Sequence, residues 1–259
     1  MAQTVVDPYR QQGWDIRFDW GPPGATAISP GTTAVVVVDV LSFTTSLSVA
    51  IDEGIEVFPF RFRDASAAAF AATRGAVLAV GRREAGDAGV SLSPLSIRTA
   101  ARTGPLTASR KLVLPSPNGS TVSRQLADSG AVVIGACLRN VTAVADWLRR
   151  TAARGPVAVV AAGERWPGDQ IRPAVEDLWG AGAVVDALVR GGFGAASPEA
   201  AAAAAAYRAL DGDVAGALAA CASGLELIAD GFGTEVTVAA ELDASGNVPV
   251  LSGEAFRPG

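Results

Sequence analysis

Apolar and polar positions alternate along the chain in blocks that predict strands and helices in turn. Trp14, Ile16, Phe18 and Trp20 alternate with polar residues, which is the period of a half-buried strand. Residues 34–38 form an unbroken apolar run, typical of a strand covered on both faces. Further strands are predicted at residues 55–60, 76–80, 111–114, 131–134 and 157–161. Helices are predicted between them at residues 44–53, 64–74, 120–129, 141–153 and 173–190. This order indicates βαβ units around a largely parallel sheet.

The last third of the chain has a different pattern. Ser197-Pro198-Glu199 has the residues of a helix N-terminus and precedes an alanine-rich helix, and a second helix is predicted at residues 213–229. Residues 235–242 and 247–251 predict a closing hairpin. We therefore expect an α/β fold with three layers (α/β/α), a largely parallel or mixed central sheet, a C-terminal helical segment and the hairpin. Residues 1–259 are expected to form a single domain, with a C-terminal subdomain from about residue 195 as the alternative.

Composition restricts the classes of function. The chain has 259 residues, of which 49% are hydrophobic, and a net charge of −5, which disfavours nucleic acid as a partner. No signal peptide and no apolar run of membrane-spanning length is visible, so we expect a cytoplasmic protein with no membrane partner. The alanine-rich helix is compatible with a homo-oligomer. Cys137 and Cys221 are expected to be buried thiols, because two distant cysteines do not make a disulfide scaffold.

The chain contains no histidine. A histidine general base, a phosphohistidine intermediate and a histidine-bound zinc are therefore excluded. A catalytic metal would need hard oxygen ligands, which favours Mg²⁺ or Mn²⁺. The glycine-rich dinucleotide motif and the P-loop are both absent, so a nucleotide cofactor is not expected.

Polar residues follow the most apolar strand. Asp39 stands at its carboxyl end, and Ser42, Thr44 and Thr45 come next. Ligands of open α/β sheets bind beyond the strand ends and at helix N-termini. Asp39 could thus hold a cation while the hydroxyls hold a phosphate. The alternative is that Thr44 or Ser42 only caps the helix and that Asp39 favours its dipole.

Other polar loops follow apolar strands in the same way. They contribute Arg82 and Glu84, then Asn118, Gly119 and Ser120, then Arg139 and Asn140. Each loop alone could be only a turn, but at one edge of a parallel sheet they would converge. Glu176 and Asp177 begin a helix, where acids commonly offset the helix dipole, although they are also suitable Mg²⁺ ligands.

The ordered set of motifs resembles the 2-phosphosulfolactate phosphatase (ComB-like) family. The motifs are Asp39-Val40-Leu41 with Thr44-Thr45, Gly81 with Glu84, Ser93-Pro94, Asn118-Gly119-Ser120, Gly135 with Asn140, Ala162-Gly163, Glu176-Asp177, Ala181-Gly182, Ser223-Gly224, Glu226-Leu227, Gly231-Phe232 and Asn247-Val248-Pro249-Val250. The resemblance implies an α/β fold and a Mg²⁺-dependent phosphatase. It also implies release of phosphate from 2-phospho-3-sulfolactate in coenzyme M biosynthesis.

The expected site follows from the loops and the resemblance together. Asp39, Glu84, Asn118 and Glu176 are the candidate catalytic residues, and Asp39, Glu176 and Asp177 are the candidate Mg²⁺ ligands. The sequence does not divide the carboxylates between base and ligand. The small phosphorylated acid would be bound by Ser42, Thr44, Thr45, Arg82, Gly119, Ser120, Arg139 and Asn140.

The chain departs from the family pattern at several positions. Ser42 stands where the family has an arginine, and Phe43 replaces a small residue. Ser116-Pro117 stands where the family has a threonine pair before Asn-Gly, and Leu92 stands where an asparagine precedes Ser-Pro. A charge-assisted bidentate contact is about twice as strong as a neutral hydrogen bond. We therefore expect weak activity on 2-phosphosulfolactate, improved by Ser42→Arg, unless Arg82 or Arg139 compensates. Two alternatives stay open: a phosphatase for another phosphorylated hydroxy acid, and an inactive relative that binds a small acid or a partner protein.

Overall fold

A computed structural model describes residues 7–61, 64–86, 89–151 and 155–259. The predicted helix at residues 141–153 is present as far as Thr151, and its last two positions lie outside the described residues. No helix in these four segments is long and apolar enough to cross a lipid bilayer.

The strands and helices of the described residues are as follows. The strands are β1 (Ile16–Trp20), β2 (Ala34–Val38), β3 (Glu56–Phe60), β4 (Val77–Leu78), β5 (Lys111–Pro115), β6 (Val132–Ala136), β7 (Val157–Ala161), β8 (Glu164–Arg165), β9 (Ile171–Arg172), β10 (Pro249–Ser252) and β11 (Ala255–Pro258). The helices are α1 (Gly21–Ile28), α2 (Phe43–Asp52), α3 (Ala65–Arg74), α4 (Arg82–Ala85), α5 (Pro94–Thr103), α6 (Leu106–Ser109), α7 (Gly119–Leu126), α8 (Val141–Thr151), α9 (Val175–Arg190), α10 (Pro198–Arg208), α11 (Val214–Ala220), α12 (Ala222–Ala229) and α13 (Gly233–Ala239).

The central sheet has two parallel groups joined by an antiparallel hairpin. Within the described residues it has nine strands in the order β1-β7-β2-β6-β10-β11-β3-β5-β4. The group β1, β7, β2 and β6 is parallel, and so is the group β3, β5 and β4. The hairpin β10–β11 pairs antiparallel with β6 on one side and with β3 on the other. The sheet is therefore mixed, as the sequence predicts.

On one face of the sheet, helices pack against both parallel groups of strands. Helices α2 and α7 each contact strands of both parallel groups, and their apolar side chains share one core with those strands. The opposite face of the first group packs against α8, α9 and α10, which form a second core. This arrangement confirms the three-layer α/β/α architecture. It also brings the loop after β5 close to the loop after β2, although the two parallel groups point in opposite directions.

Several elements differ from the sequence predictions. Residues 235–239 belong to helix α13, residues 240–242 follow it without forming a strand, and the closing hairpin lies further on, in β10 and β11. The predicted helix at 213–229 is two helices, which meet at Cys221. The alternation that suggested a strand at 235–242 belongs to a helix whose Val236, Val238 and Ala239 are buried. Helices α1 and α5 lie outside the predicted helices, and each begins with proline in its first turn.

Candidate active site

The turn between β2 and α2 fixes the carboxylate of Asp39. The peptide N–H of Phe43 donates to Asp39 Oδ1 at 3.0 Å, and that of Gly119 donates to Oδ2 at 2.8 Å. The side chain is almost fully buried, and burial raises the pKa of Asp39 above its ordinary value, while the two N–H donors lower it. The hydroxyl of Thr44 closes the turn by donating to the Asp39 carbonyl at 2.7 Å. Asp39 is thus a rigidly oriented carboxylate.

The loop after β5 packs directly onto Asp39. A Cβ at Gly119 would lie 2.4 Å from Cδ1 of Phe43 and 2.7 Å from Oδ2 of Asp39, so only glycine fits at this approach. Ser116 Oγ lies 3.5 Å from the same Oδ2. Glycine is therefore needed at position 119 so that its N–H can reach the buried carboxylate of Asp39. The sequence alone does not reveal this contact.

Asp177, near the start of α9, joins two of the loops. Its Oδ1 accepts from the N–H of Val40 at 2.7 Å, and its Oδ2 accepts from the N–H of Gly163 at 2.9 Å. Burial and the negative charges of Asp39 and Glu176 raise the pKa of Asp177 well above its ordinary value. With both oxygens engaged by backbone, Asp177 holds the loop after β2 against the loop after β7.

Glu164 is the first residue of β8 and adds a further carboxylate beside Asp39. Asn118 Nδ2 donates to its Oε2 at 3.0 Å. Burial raises the pKa of Glu164 to about 7, and the charge of Asp39 contributes in the same direction. We call Asp39, Glu164, Glu176 and Asp177 the acidic cluster. The negative charge of Glu176 contributes to the raised pKa values of Asp39, Glu164 and Asp177, so the site concentrates negative charge that is not balanced within the cluster.

A cleft of about 710 Å³ opens beside the acidic cluster. Asp39 and Glu164 line it, together with Ser42, Ser116 and Asn118. Four arginines also line it: Arg82, Arg83, Arg165 and Arg172. Its remaining wall comes from helix α12 and the turn that follows, through residues such as Ser223 and Phe232. A site with carboxylates at one place and several guanidinium groups around it suits an anion that is bound with a cation.

Arg82 lies where the family's arginine is missing. Its Nη2 donates to Ser42 Oγ at 2.6 Å, and its Nε donates to Glu235 at 2.7 Å. The guanidinium also lies 5.6 Å from the centre of the Phe232 ring. A guanidinium from helix α4 thus lies next to position 42, although the β2–α2 turn itself carries no arginine.

The structure brings part of the predicted site together. The predicted residues that line the cleft are Asp39, Ser42, Arg82, Glu84 and Asn118. Thr44, Thr45 and Ser120 do not line it, since their hydroxyls donate to the carbonyls of Asp39, Val40 and Leu114. These three are structural hydroxyls. No side-chain hydrogen bond caps helix α2 at Ser42, so the cap alternative does not describe how they act.

Glu176 does not line the cleft either. It is buried beside Cys221, whose pKa is raised to about 11 by burial and by this carboxylate. In the part of the chain that the structure describes, no three acidic or cysteine side chains are placed to hold one metal ion. The predicted ligand set of Asp39, Glu176 and Asp177 is therefore not assembled around a common point.

Arg139 and Asn140 lie away from the cleft. Arg139 is buried and forms ion pairs with Asp52, at 3.2 Å, and with Glu241. Asn140 Oδ1 accepts from the N–H of Cys137 at 2.9 Å, which caps the turn after β6. The loop after β6 does not line the cleft, because Arg139 and Asn140 pair with groups elsewhere in the protein.

Sequence reasoning missed the hairpin β8–β9. Its residues Glu164, Arg165 and Arg172 all line the cleft, as does Trp166 at its exposed turn. A signal was present, since Glu164 follows the apolar run of β7 as Asp39 follows that of β2. The contribution of helix α12 to the cleft does not follow from the rule that ligands bind beyond strand ends, because α12 follows no strand.

The comparison with protein families fits this geometry. The model of the family described as 2-phosphosulpholactate phosphatase matches residues 25–254. A search of curated proteins gave no significant match. The matched region contains every residue of the acidic cluster and of the cleft wall described above. The chain belongs to the 2-phosphosulpholactate phosphatase family, a family of hydrolases.

Proposed function

We propose that this protein is a Mg²⁺-dependent phosphatase that hydrolyses the phosphate monoester of a small 2-phosphorylated acid. The reaction is that of 2-phospho-3-sulfolactate with water, which gives 3-sulfolactate and inorganic phosphate. The single observation that carries the proposal is the pairing of uncompensated carboxylates with several arginines in one cleft. Family membership supports the same type of reaction.

The residues of the cleft suit a magnesium ion. Mg²⁺ in phosphate-transferring sites is commonly held by one or two carboxylates, with water and substrate oxygens as the other ligands. Asp39 and Glu164 are the carboxylates of the acidic cluster that line the cleft, so they would hold it. Their raised pKa values reflect a negative charge that a divalent cation would relieve. When bound, the ion would neutralise phosphate oxygens and lower the pKa of a bound water.

The protein's own residues would position the reacting groups. Asp39 is held by two backbone N–H donors and needs no reorganisation when substrate arrives. Asn118 orients Glu164 through its amide. Arg82 is aimed at Ser42 and would meet an anionic oxygen at that end of the cleft. We therefore assign Arg82 the contact that the family's missing arginine would make. Through this contact Arg82 would help the protein to bind the doubly acidic substrate.

The test is phosphate release from a panel of phosphate monoesters. It includes 2-phosphosulfolactate, 2-phospholactate and other phosphorylated hydroxy acids, each with Mg²⁺ and with EDTA. We expect release from 2-phosphosulfolactate that EDTA abolishes and Mg²⁺ or Mn²⁺ restores. Preference for another member of the panel would change the substrate but keep the reaction. Absence of release throughout the panel, or release that EDTA leaves unchanged, would contradict the proposal.

Thiol reagents provide a control on the chemistry. Cys137 and Cys221 are buried, and the pKa of each thiol is raised to about 11, so neither is a reactive thiolate at neutral pH. We expect thiol-directed reagents to leave activity unchanged in the folded protein. Loss of activity on modification of Cys137 without unfolding would favour a cysteine mechanism instead.

A further inference from the structure

Arg172 differs from the other three arginines of the cleft. Arg82 pairs with Glu235, Arg83 with Asp230, and Arg165 with Asp169. Arg172 has no carboxylate of the described residues within ion-pair distance, and its side chain makes one hydrogen bond, from Nη2 to Ser223 Oγ at 3.3 Å. Most of its five N–H donors therefore have no protein acceptor.

The guanidinium of Arg172 is nevertheless held in place. It lies over the ring of Trp166, 5.7 Å from the ring centre, and Ser223 contacts it from helix α12. The residue is only partly exposed. Arg172 forms no ion pair within the described residues, although its positive charge opposes the rise in the pKa of Glu164. A half-buried, oriented guanidinium of this kind suits an anionic ligand, since its planar fork matches the two oxygens of a carboxylate or sulfonate.

Arg172 also has a fixed relation to the acidic cluster. In the hairpin β8–β9, Arg172 is the direct cross-strand partner of Glu164. Directly opposite residues in an antiparallel pair have Cβ atoms about 5 Å apart and side chains on the same face. Glu164 and Arg172 therefore lie next to each other on one face of the hairpin.

We propose that Arg172 binds an acidic group of the substrate other than its phosphate, either a carboxylate or a sulfonate, while the phosphate lies at Asp39 and Glu164. This inference rests on the proposed phosphatase function and specifies how the cleft selects its substrate. Arg172 would make a compound with an acidic group next to its phosphate ester a better substrate than a neutral phosphate ester. Trp166 and Ser223 orient the guanidinium for this contact.

The test compares Arg172→Gln with wild type on four phosphate monoesters. 2-Phosphosulfolactate carries both acidic groups, 2-phospholactate only the carboxylate, 2-phosphooxyethanesulfonate only the sulfonate, and glycerol 2-phosphate neither. We expect kcat/KM to fall about 10- to 100-fold on the esters that carry the bound group. The loss should be mainly in KM, and glycerol 2-phosphate should be unaffected. The single-group esters show whether Arg172 binds carboxylate or sulfonate.

Two further variants control the result. Arg172→Lys keeps the charge without the fork and should restore part of the lost kcat/KM. Arg102→Gln removes a charge from an exposed side chain that is paired with Glu53 and does not line the cleft, and it should retain wild-type kinetics on all four esters. An equal loss on all four esters for Arg172→Gln, or no loss on any, would overturn the inference.

Calorimetric binding of 3-sulfolactate separates this inference from the proposed function. Wild-type protein should bind 3-sulfolactate more tightly than the Arg172→Gln variant does, and thermal unfolding should show that both are folded. If none of the four esters is hydrolysed, the proposed function fails, and the binding difference alone decides the role of Arg172. Equal binding of 3-sulfolactate by the two proteins would overturn that role.

Discussion

The loops after β2 and β6 begin from neighbouring parallel strands and have opposite electrostatic character. Val38 and Ala136 are register partners at the ends of these strands. After β2, Asp39 joins other carboxylates beside a cleft, and the negative charge is not balanced within the cluster. After β6, Arg139 is buried between Asp52 and Glu241, and its charge is compensated within the protein.

A polar residue at a strand end is therefore not by itself a functional residue. Both loops lie beyond the carboxyl ends of parallel strands, which is where ligands of open α/β sheets bind. Only one of them combines uncompensated charge with access to solvent. Unbalanced charge beside a cleft is what distinguishes the candidate active site from a structural ion-pair cluster.

Asp39→Asn is expected to have the largest effect on activity. The substitution removes a carboxylate that would hold the metal, and we expect kcat to fall by about 10²- to 10³-fold. The fold should persist, because one Asn oxygen can still accept a backbone N–H. Steady-state kinetics and thermal unfolding check both statements. Near-normal turnover at saturating Mg²⁺ would remove Asp39 from the site.

Gly119→Ala is expected to damage the same site through the backbone. The new methyl group would clash with Phe43 and Asp39, so the N–H donor to Asp39 must move away. We expect at least about a tenfold loss of kcat/KM and a destabilisation of about 1–3 kcal/mol. Ser123→Ala, further along the same helix, removes only a hydroxyl that donates to the Gly119 carbonyl and serves as the control. Wild-type kinetics for Gly119→Ala would contradict the packing described here.

Arg139→Met tests the other loop. It leaves Asp52 and Glu241 without their buried partner, and we expect a loss of roughly 2–3 kcal/mol in the free energy of unfolding, because both partners are partly exposed. The kcat/KM of the folded fraction should stay at the wild-type value. Urea unfolding and kinetics below the transition measure the two quantities. A stable variant with impaired kcat/KM would place Arg139 in the active site after all.

The metal-free protein should become less stable as pH rises from about 4.5 to 7. Glu164 has its pKa raised to about 7, so folding favours its protonated form, and that stabilisation is lost as the carboxyl ionises. Asp39 and Asp177, whose pKa values are also raised, act in the same direction. Urea unfolding of wild type and Glu164→Gln across this range should show a shallower slope for the variant. Identical slopes would show that Glu164 does not titrate as described.

Ser42→Arg is expected to have the smallest effect. The sequence alone favours a gain on 2-phosphosulfolactate, but Arg82 already donates to Ser42 in the structure. A second guanidinium at this point would repel the first, so we expect no improvement in kcat/KM relative to 2-phospholactate. Kinetics on the two esters decides the matter. A selective gain on 2-phosphosulfolactate would show that Arg82 does not replace the missing arginine.

The sequence predicted the layers of the fold and one half of the site. The buried strand β2, its neighbours and the position of Asp39 follow from apolar runs and the residues that end them. The rest depended on contacts between distant segments. Asp177 accepts N–H groups from two loops, and Arg82 reaches Ser42 from another element, which no local pattern encodes. The helical conformation of residues 235–239 was missed because alternation over a short run fits either structure.

Binding of Mn²⁺, followed by electron paramagnetic resonance, tests most directly whether the acidic cluster is the functional centre. Mn²⁺ takes the oxygen ligands that suit Mg²⁺ and reports binding without substrate. Wild type and Arg139→Met should each bind one ion at pH 8, more weakly at pH 6 because protonation of Glu164 competes, and Asp39→Asn should not bind it. Equal Mn²⁺ binding by wild type and Asp39→Asn would contradict the assignment of this cleft as the metal-dependent active site.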